Sequence, residues 1–120
     1  MDNSMSSILT SIKKLVGGIS ESDTSFDPDI VMDINTSFSI LTQLGVGPIT
    51  GFSIEDKSSV WTDFITDMKK FEMIKSFIHL NVKLLFDPPI SSAVLDVINR
   101  QISELTWRLA NPIDETEEVI

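Results

Sequence analysis

Cysteine is absent from the 120-residue chain, which rules out disulfides, thiolate metal sites and a thiol nucleophile. Tyrosine is absent as well, and histidine occurs once, at His79. A single imidazole, with no thiolate or second imidazole to share a metal, reads as an ordinary helix residue. Nowhere does an apolar run reach the roughly 20 residues that cross a bilayer. The opening MDNSMSSILTSIKKLVGG has no basic start and is interrupted by Lys13 and Lys14, so it does not read as a secretion signal, and a soluble chain is expected. Basic residues are scarce: 9 Lys and Arg stand against 18 Asp and Glu, for a formal charge of −9. Such a surface repels phosphate backbones and anionic lipid, so tight binding to nucleic acid or membrane is disfavoured, while DNA can pass nearby without sticking. The phosphate-loop GxxxxGK, the dinucleotide GxGxxG, the GxSxG elbow and the HExxH zinc motif are all missing. No cofactor, no metal and no enzyme are expected.

What is present has the balance of a globular protein, 42% hydrophobic and 22% charged, at a length suited to one domain. Ile8, Leu9, Ile12, Leu15 and Val16 recur at helical spacing, with Ser6 or Ser7 as a cap and Gly17-Gly18 as the stop. That helix is too short to stand alone and must dock. After the polar connector GGISESDTSF, the start signals are Asp27 as N-cap, Pro28 in the first turn and Asp29 where the helix dipole favours an acid. They predict a helix over 28–44 with Ile30, Ile34, Phe38, Leu41 and Leu44 on one face. Asp27, Asp29 and Asp33 resemble a metal cluster, but acids at a helix start cap it. Asn35-Thr36-Ser37 fits a glycosylation pattern that only a secreted protein would use.

The stretch GVGPITGFSIED, with three glycines and a proline, predicts a turn-rich loop. A short helix carrying Val60, Trp61, Phe64 and Ile65 follows it, capped by Ser53, Ser58 or Ser59. From about 68 to 86, Phe71, Ile74, Phe77 or Ile78, Val82 and Leu85 form one stripe. Asp87 precedes Pro88 and is pushed out of the helical region, so the helix ends there, and Pro89 locks a second φ. Ser91 or Ser92 caps a last helix with Val94, Ile98, Ile102, Leu105 and Leu109 at spacings of four, four, three and four. A corner of so few residues forces the two long helices side by side, antiparallel or steeply crossed. The fold class is therefore all-α: a small bundle of four to five helices, with a long C-terminal hairpin joined at a double-proline corner and one Gly-rich loop. The chain divides into an N-terminal short helix and flexible connector (1–25), a helical domain (26–110) and an acidic tail (111–120) that reads as disordered. Trp61 reads as core. Trp107, off the stripe, fills a second core face or meets another chain, and the surplus apolar residues Leu80, Leu84, Phe86, Leu95 and Val97 pose the same choice.

Three blocks in this order carry a likeness to a known family: the loop start LGVGP, the W-x-D-F at Trp61 to Phe64, and KLLFDPP followed by a helix ending EL-x-WRL. Over about residues 26 to 110 the chain resembles the head-tail connector proteins of long-tailed bacteriophages and prophages, also called adaptor or head-completion proteins. The N-terminal helix is outside the likeness. Where such proteins usually have an aromatic or hydroxyl residue this chain has Phe77 and His79, and Val60 stands in place of an expected Thr. The resemblance implies a structural virion protein made in the host cytoplasm and located at the head-tail interface. It implies a homo-oligomeric ring, dodecameric on the portal, that binds the portal protein, extends the DNA channel and docks the next tail-proximal stopper or tail protein. Asp87, Pro88 and Pro89 would set the structural corner. Gly45, Gly47, Pro48, Phe52 and Ile54 would reach the adjacent subunit, and Trp107, Arg108, Leu109, Asn111 and Pro112 would face the portal. The competing expectation is a stand-alone acidic helical module, antitoxin-like or an anti-repressor, that blocks a basic partner.

Overall fold

A computed structural model describes residues 5–111. Its helices are α1 (Ile8–Val16), α2 (Asp27–Gln43), α3 (Trp61–Phe64), α4 (Phe71–Phe86) and α5 (Ser92–Ala110), with a 3-10 turn at Met68–Lys70 before α4. Among the described residues there is no strand, only an isolated antiparallel bridge between Ser7 and Val60. The all-α expectation holds. Beyond Asn111, the acidic tail lies outside the described residues.

α4 is the hub: α1, α2 and α5 all pack on it, and α1 also packs on α2. Its Phe71, Ile74, Phe77, Ile78 and Val82 are buried, against Ile30, Ile34, Phe38 and Leu41 of α2 and Ile8, Leu9, Ile12 and Val16 of α1 in one cluster. The short α1 docks as its length requires, with Ser7 Oγ accepting from Thr10 N at 3.2 Å as its cap. Lys13 of α1 is buried too, and its Nζ reaches Asp27 Oδ1 at 2.8 Å, the Asp23 carbonyl at 2.8 Å and the Glu21 carbonyl at 3.2 Å. One ammonium thus folds the connector 17–26 back onto α1 and ties it to the start of α2.

That contact corrects one expectation. Asp27 does not cap α2; it is the first helical residue, the cap position is held by Phe26 with no side-chain hydrogen bond, and the Asp27 carboxylate is drawn to Lys13 instead. The start of α2 relies on Pro28 and on the acids of the first turn. Hydroxyls on α2 bond back to its own carbonyls, as Ser37 Oγ does to Asp33 O at 3.1 Å, which lets Ser37 sit fully buried.

Two more corrections concern the stripes near the corner. Leu85 is 55% exposed and Val94 47% exposed. The chain entering α2 covers Phe86 instead, with the Phe26 ring edge-on at 5.5 Å between centroids, and leaves Leu85, one residue round the helix, open. α5 makes its contact further along, through buried Ile98 and Leu109 with Leu95, Ile102 and Leu105 half-covered.

Candidate interaction surfaces

At the corner, α4 stops with Asp87 at φ −146° and ψ 68°, outside the helical region as a residue before proline should be. Asp87 N still donates to Lys83 O at 3.0 Å and its carboxylate pairs with Lys83 Nζ at 2.9 Å. That pair is exposed and contributes little. Ser91 Oγ then accepts from Val94 N at 3.4 Å to start α5. Past the corner, α4 and α5 jointly line an open groove of about 430 Å³, with Met73, Ser76, His79 and Leu80 on one wall and Gln101, Glu104, Leu105 and Arg108 on the other. Both walls lie several turns from the corner, so α5 returns alongside α4 as an antiparallel hairpin. Replacing Pro88 and Pro89 with glycine is expected to keep both helices while lowering stability by about 1–2 kcal/mol, mainly by enlarging the unfolded ensemble. Chemical denaturation followed by circular dichroism checks this; a helical content that falls in the native baseline would contradict it.

The Gly-rich loop is stapled at both ends. Val46 is buried and its N–H reaches back to Leu41 O at 2.9 Å, closing α2 around Gly45, which takes φ +82°. Gly47, at φ +86°, faces the Phe64 ring so closely that a Cβ there would sit 2.7 Å from Phe64 Cζ. Only glycine meets both demands. Pro48 to Gly51 form a tight turn through Gly51 N to Pro48 O at 3.0 Å, with Ile49 97% exposed at its tip. Phe52 packs on Phe38 and Phe64, at 4.9 and 5.2 Å between centroids, and Ile54 is 2% exposed. Of the five loop residues singled out in the sequence, Phe52 and Ile54 therefore root the loop in its own core, while Gly45, Gly47 and Pro48 are exposed.

The residue that holds this loop was missed. Asn35 of α2 clamps the Ile54 peptide from both sides, Nδ2 donating to Ile54 O at 2.9 Å and Oδ1 accepting from Ile54 N at 2.8 Å. A strand partner would make the same two bonds; here one side chain supplies both. Asn35→Ala leaves two backbone groups of a buried residue unpaired and is expected to cost about 2 kcal/mol. Thermal denaturation measures it, and a loss within experimental error would show that water replaces the amide.

After the loop, Val60 N donates to Asp63 Oδ2 at 2.9 Å and opens α3, so the cap comes from Asp63 rather than from any of the serines considered. Trp61 is fully buried, as its neighbours suggested. At the far end of α5, Trp107 is 65% exposed, Arg108 Nη2 pairs with Glu104 Oε1 at 2.7 Å, and Asn111 Nδ2 donates to Trp107 O at 3.0 Å. Leu109 is 1% exposed and belongs to the same core cluster as Ile54; Pro112 lies outside the described residues. Leu109 thus fixes the end of α5 to the body, and Trp107, Arg108 and Asn111 are the members of that set offered to solvent.

Among the described residues no group of three His, Cys, Asp or Glu side chains is arranged to hold a metal ion. Burial holds the His79 imidazole below its ordinary pKa and Lys83 adds to this, while a hydrogen bond to the Leu15 backbone pulls the other way. The Asp33 carboxyl is raised by partial burial first and by repulsion from Asp29 second. No helix among the described residues is long and apolar enough to cross a membrane. These surfaces present exposed apolar side chains at the corner, the loop tip and the end of α5.

The family model described as phage connector protein matches residues 8–116, from the first residue of α1 past the end of α5. The chain belongs to the phage connector protein family. In this connector the match takes in α1, which the sequence likeness did not reach, and α1 shares its core with α2 and α4. No curated protein and no solved structure matches the chain. Membership in a family of phage structural components makes the contact surfaces of this connector, rather than a pocket, the features that bear on function.

Proposed function

We propose that the chain is a head-tail connector subunit that assembles as a ring below the portal, extends the DNA channel and docks the next tail-proximal protein. The observation that carries this reading is the match to the connector family across the whole fold, α1 to α5. The geometry suits the role in three ways. The corner of Asp87, Pro88 and Pro89 fixes the hairpin angle, and closing a head-to-tail ring of identical subunits demands a constant angle at every repeat. The loop, rooted by Phe52, Ile54 and Asn35, holds out Pro48 and Ile49 for an adjacent subunit. A formal charge of −9 lets the subunit surround passing DNA without gripping it. The role is structural and needs no catalysis.

The portal-facing surface is assigned to the end of α5, Trp107, Arg108 and Asn111, together with Pro112 and the acidic residues after it. Deleting residues 111–120 should abolish capture by portal-bearing capsids in a cosedimentation assay, with the circular dichroism spectrum unchanged. Equal capture by the truncated chain would remove the tail from the interface. A chain that stays a monomer or dimer, forms no closed multimer and ignores the portal would instead support the acidic inhibitor reading.

A further inference from the structure

Ile98, Ile102, Leu105 and Leu109 turn α5 toward α4, and the exposed side of the same helix carries a second ordered line, whose Glu104 also borders the groove shared with α4. Val97, Arg100, Glu104 and Trp107 follow at spacings of three, four and three, which places them on one face. All are exposed, Val97 by 45% and Trp107 by 65%. Glu104 shares its carboxylate with Arg108, whereas Arg100 has neither an ion pair nor a side-chain hydrogen bond among the described residues. Forward, the line reads apolar, basic, acidic, aromatic; backward, its spacing is again three, four and three. A second copy laid antiparallel therefore meets it in register, each Arg100 opposite Glu104 of the other copy and each Val97 opposite Trp107 of the other copy.

We infer that the free protein pairs with a second copy of itself through the outer face of α5, as an antiparallel two-fold dimer held by two Arg100–Glu104 ion pairs and two Val97–Trp107 contacts. The contact is isologous, each side using the same patch. Charge complementarity selects the occupant: a partner whose basic and acidic groups mirror this order is the chain itself. α5 is 19 residues, about 28 Å long, and one helix laid on another is a small interface, so the dimer is weak, with a dissociation constant on the order of micromolar. Trp107 also lies on the surface assigned to the portal, so dimerisation would withhold it until the portal competes; that consequence rests on the connector reading, and the dimer does not.

Sedimentation velocity of the full chain over roughly 0.05 µM to 1 mM, a range that brackets micromolar affinity, tests the inference. Wild type should shift from monomer to dimer. Arg100→Glu and Glu104→Arg should each weaken the dimer at least about tenfold, because like charges then face each other. An equimolar mixture of the two variants should dimerise again, since two carboxylates on one chain meet two guanidiniums on the other. Trp107→Ala should weaken association without changing the circular dichroism spectrum. A chain monomeric throughout, a dimer indifferent to all three substitutions, or variants that stay apart when mixed would overturn it. Portal capture by the wild type is measured separately, so a wild-type chain that is captured but never dimerises refutes only this inference, and one that dimerises but is not captured refutes only the connector reading.

Discussion

Trp61→Ala is expected to destabilise the fold by about 3–5 kcal/mol, the range for emptying a fully buried large aromatic side chain. The reason lies in what this one residue joins. Its indole is wholly buried, Nε1 donates to Ser11 Oγ of α1 at 3.2 Å, and its ring stands edge-on to Phe71 of α4 at 5.5 Å. Its backbone N–H also reaches Ser6 O at 3.3 Å, beside the Ser7–Val60 bridge. α3 has four residues and no stability of its own, so it exists because Trp61 and Phe64 are buried. Removing Trp61 empties a space shared by three helices and takes the indole donor from Ser11 Oγ, which keeps its own bond to Ser7 O at 2.7 Å. Against a total stability of about 5–15 kcal/mol, such a loss brings the protein close to unfolding at working temperature. Trp107→Ala serves as the internal contrast: with 65% of the side chain in solvent, it should change stability by no more than about 0.5 kcal/mol. Urea denaturation of both variants decides the matter, and a loss below about 1 kcal/mol for Trp61→Ala would mean that the surrounding side chains collapse into the space.

Lys13→Met is the second large effect, about 2–3 kcal/mol, somewhat below the 3–5 kcal/mol typical of breaking a fully buried ion pair. The discount reflects geometry, since the Lys13 side chain is 4% exposed but Asp27 is 24% exposed and keeps access to water. Methionine preserves the alkyl stem inside the core and removes only the ammonium. The buried Asp27 Oδ1 then loses its counter-ion, and the carbonyls of Asp23 and Glu21 lose a donor. The connector 17–26 should become more susceptible to protease before the rest of the domain is affected. Added salt should leave the wild-type contribution nearly intact, because a covered pair is screened far less than an exposed one. A variant as stable as wild type, with the connector equally resistant, would show that the ammonium contributes no net stability.

These two residues also mark where sequence reading succeeds and where it stops. Trp61 was legible because its neighbours Val60 and Phe64 share its local pattern, and the helices were legible because apolar spacing and proline punctuation are local signals. Lys13 registered only as an interruption of an apolar run, since its partner Asp27 is distant in sequence and carried a plausible local role as a cap. Asn35 was hidden in the same way: its clamp on Ile54 spans 19 residues and depends on the loop folding back onto α2. For the surfaces, exposure decided what periodicity could not. Leu109 continues a regular stripe and is buried, while Val94 begins that stripe and is open, because α5 meets α4 only beyond its first turn. Phe52 and Ile54, set within a stretch whose glycines and proline read only as a turn-rich loop, are its roots in the core.

Negative-stain averages of portal vertices mixed with the purified chain test the central claim most directly. The connector reading predicts a closed ring of additional density on the tail-facing side of the portal, coaxial with the channel and absent when residues 111–120 are removed. Vertices that remain bare at saturating chain, or that carry scattered single subunits without closure, would contradict it.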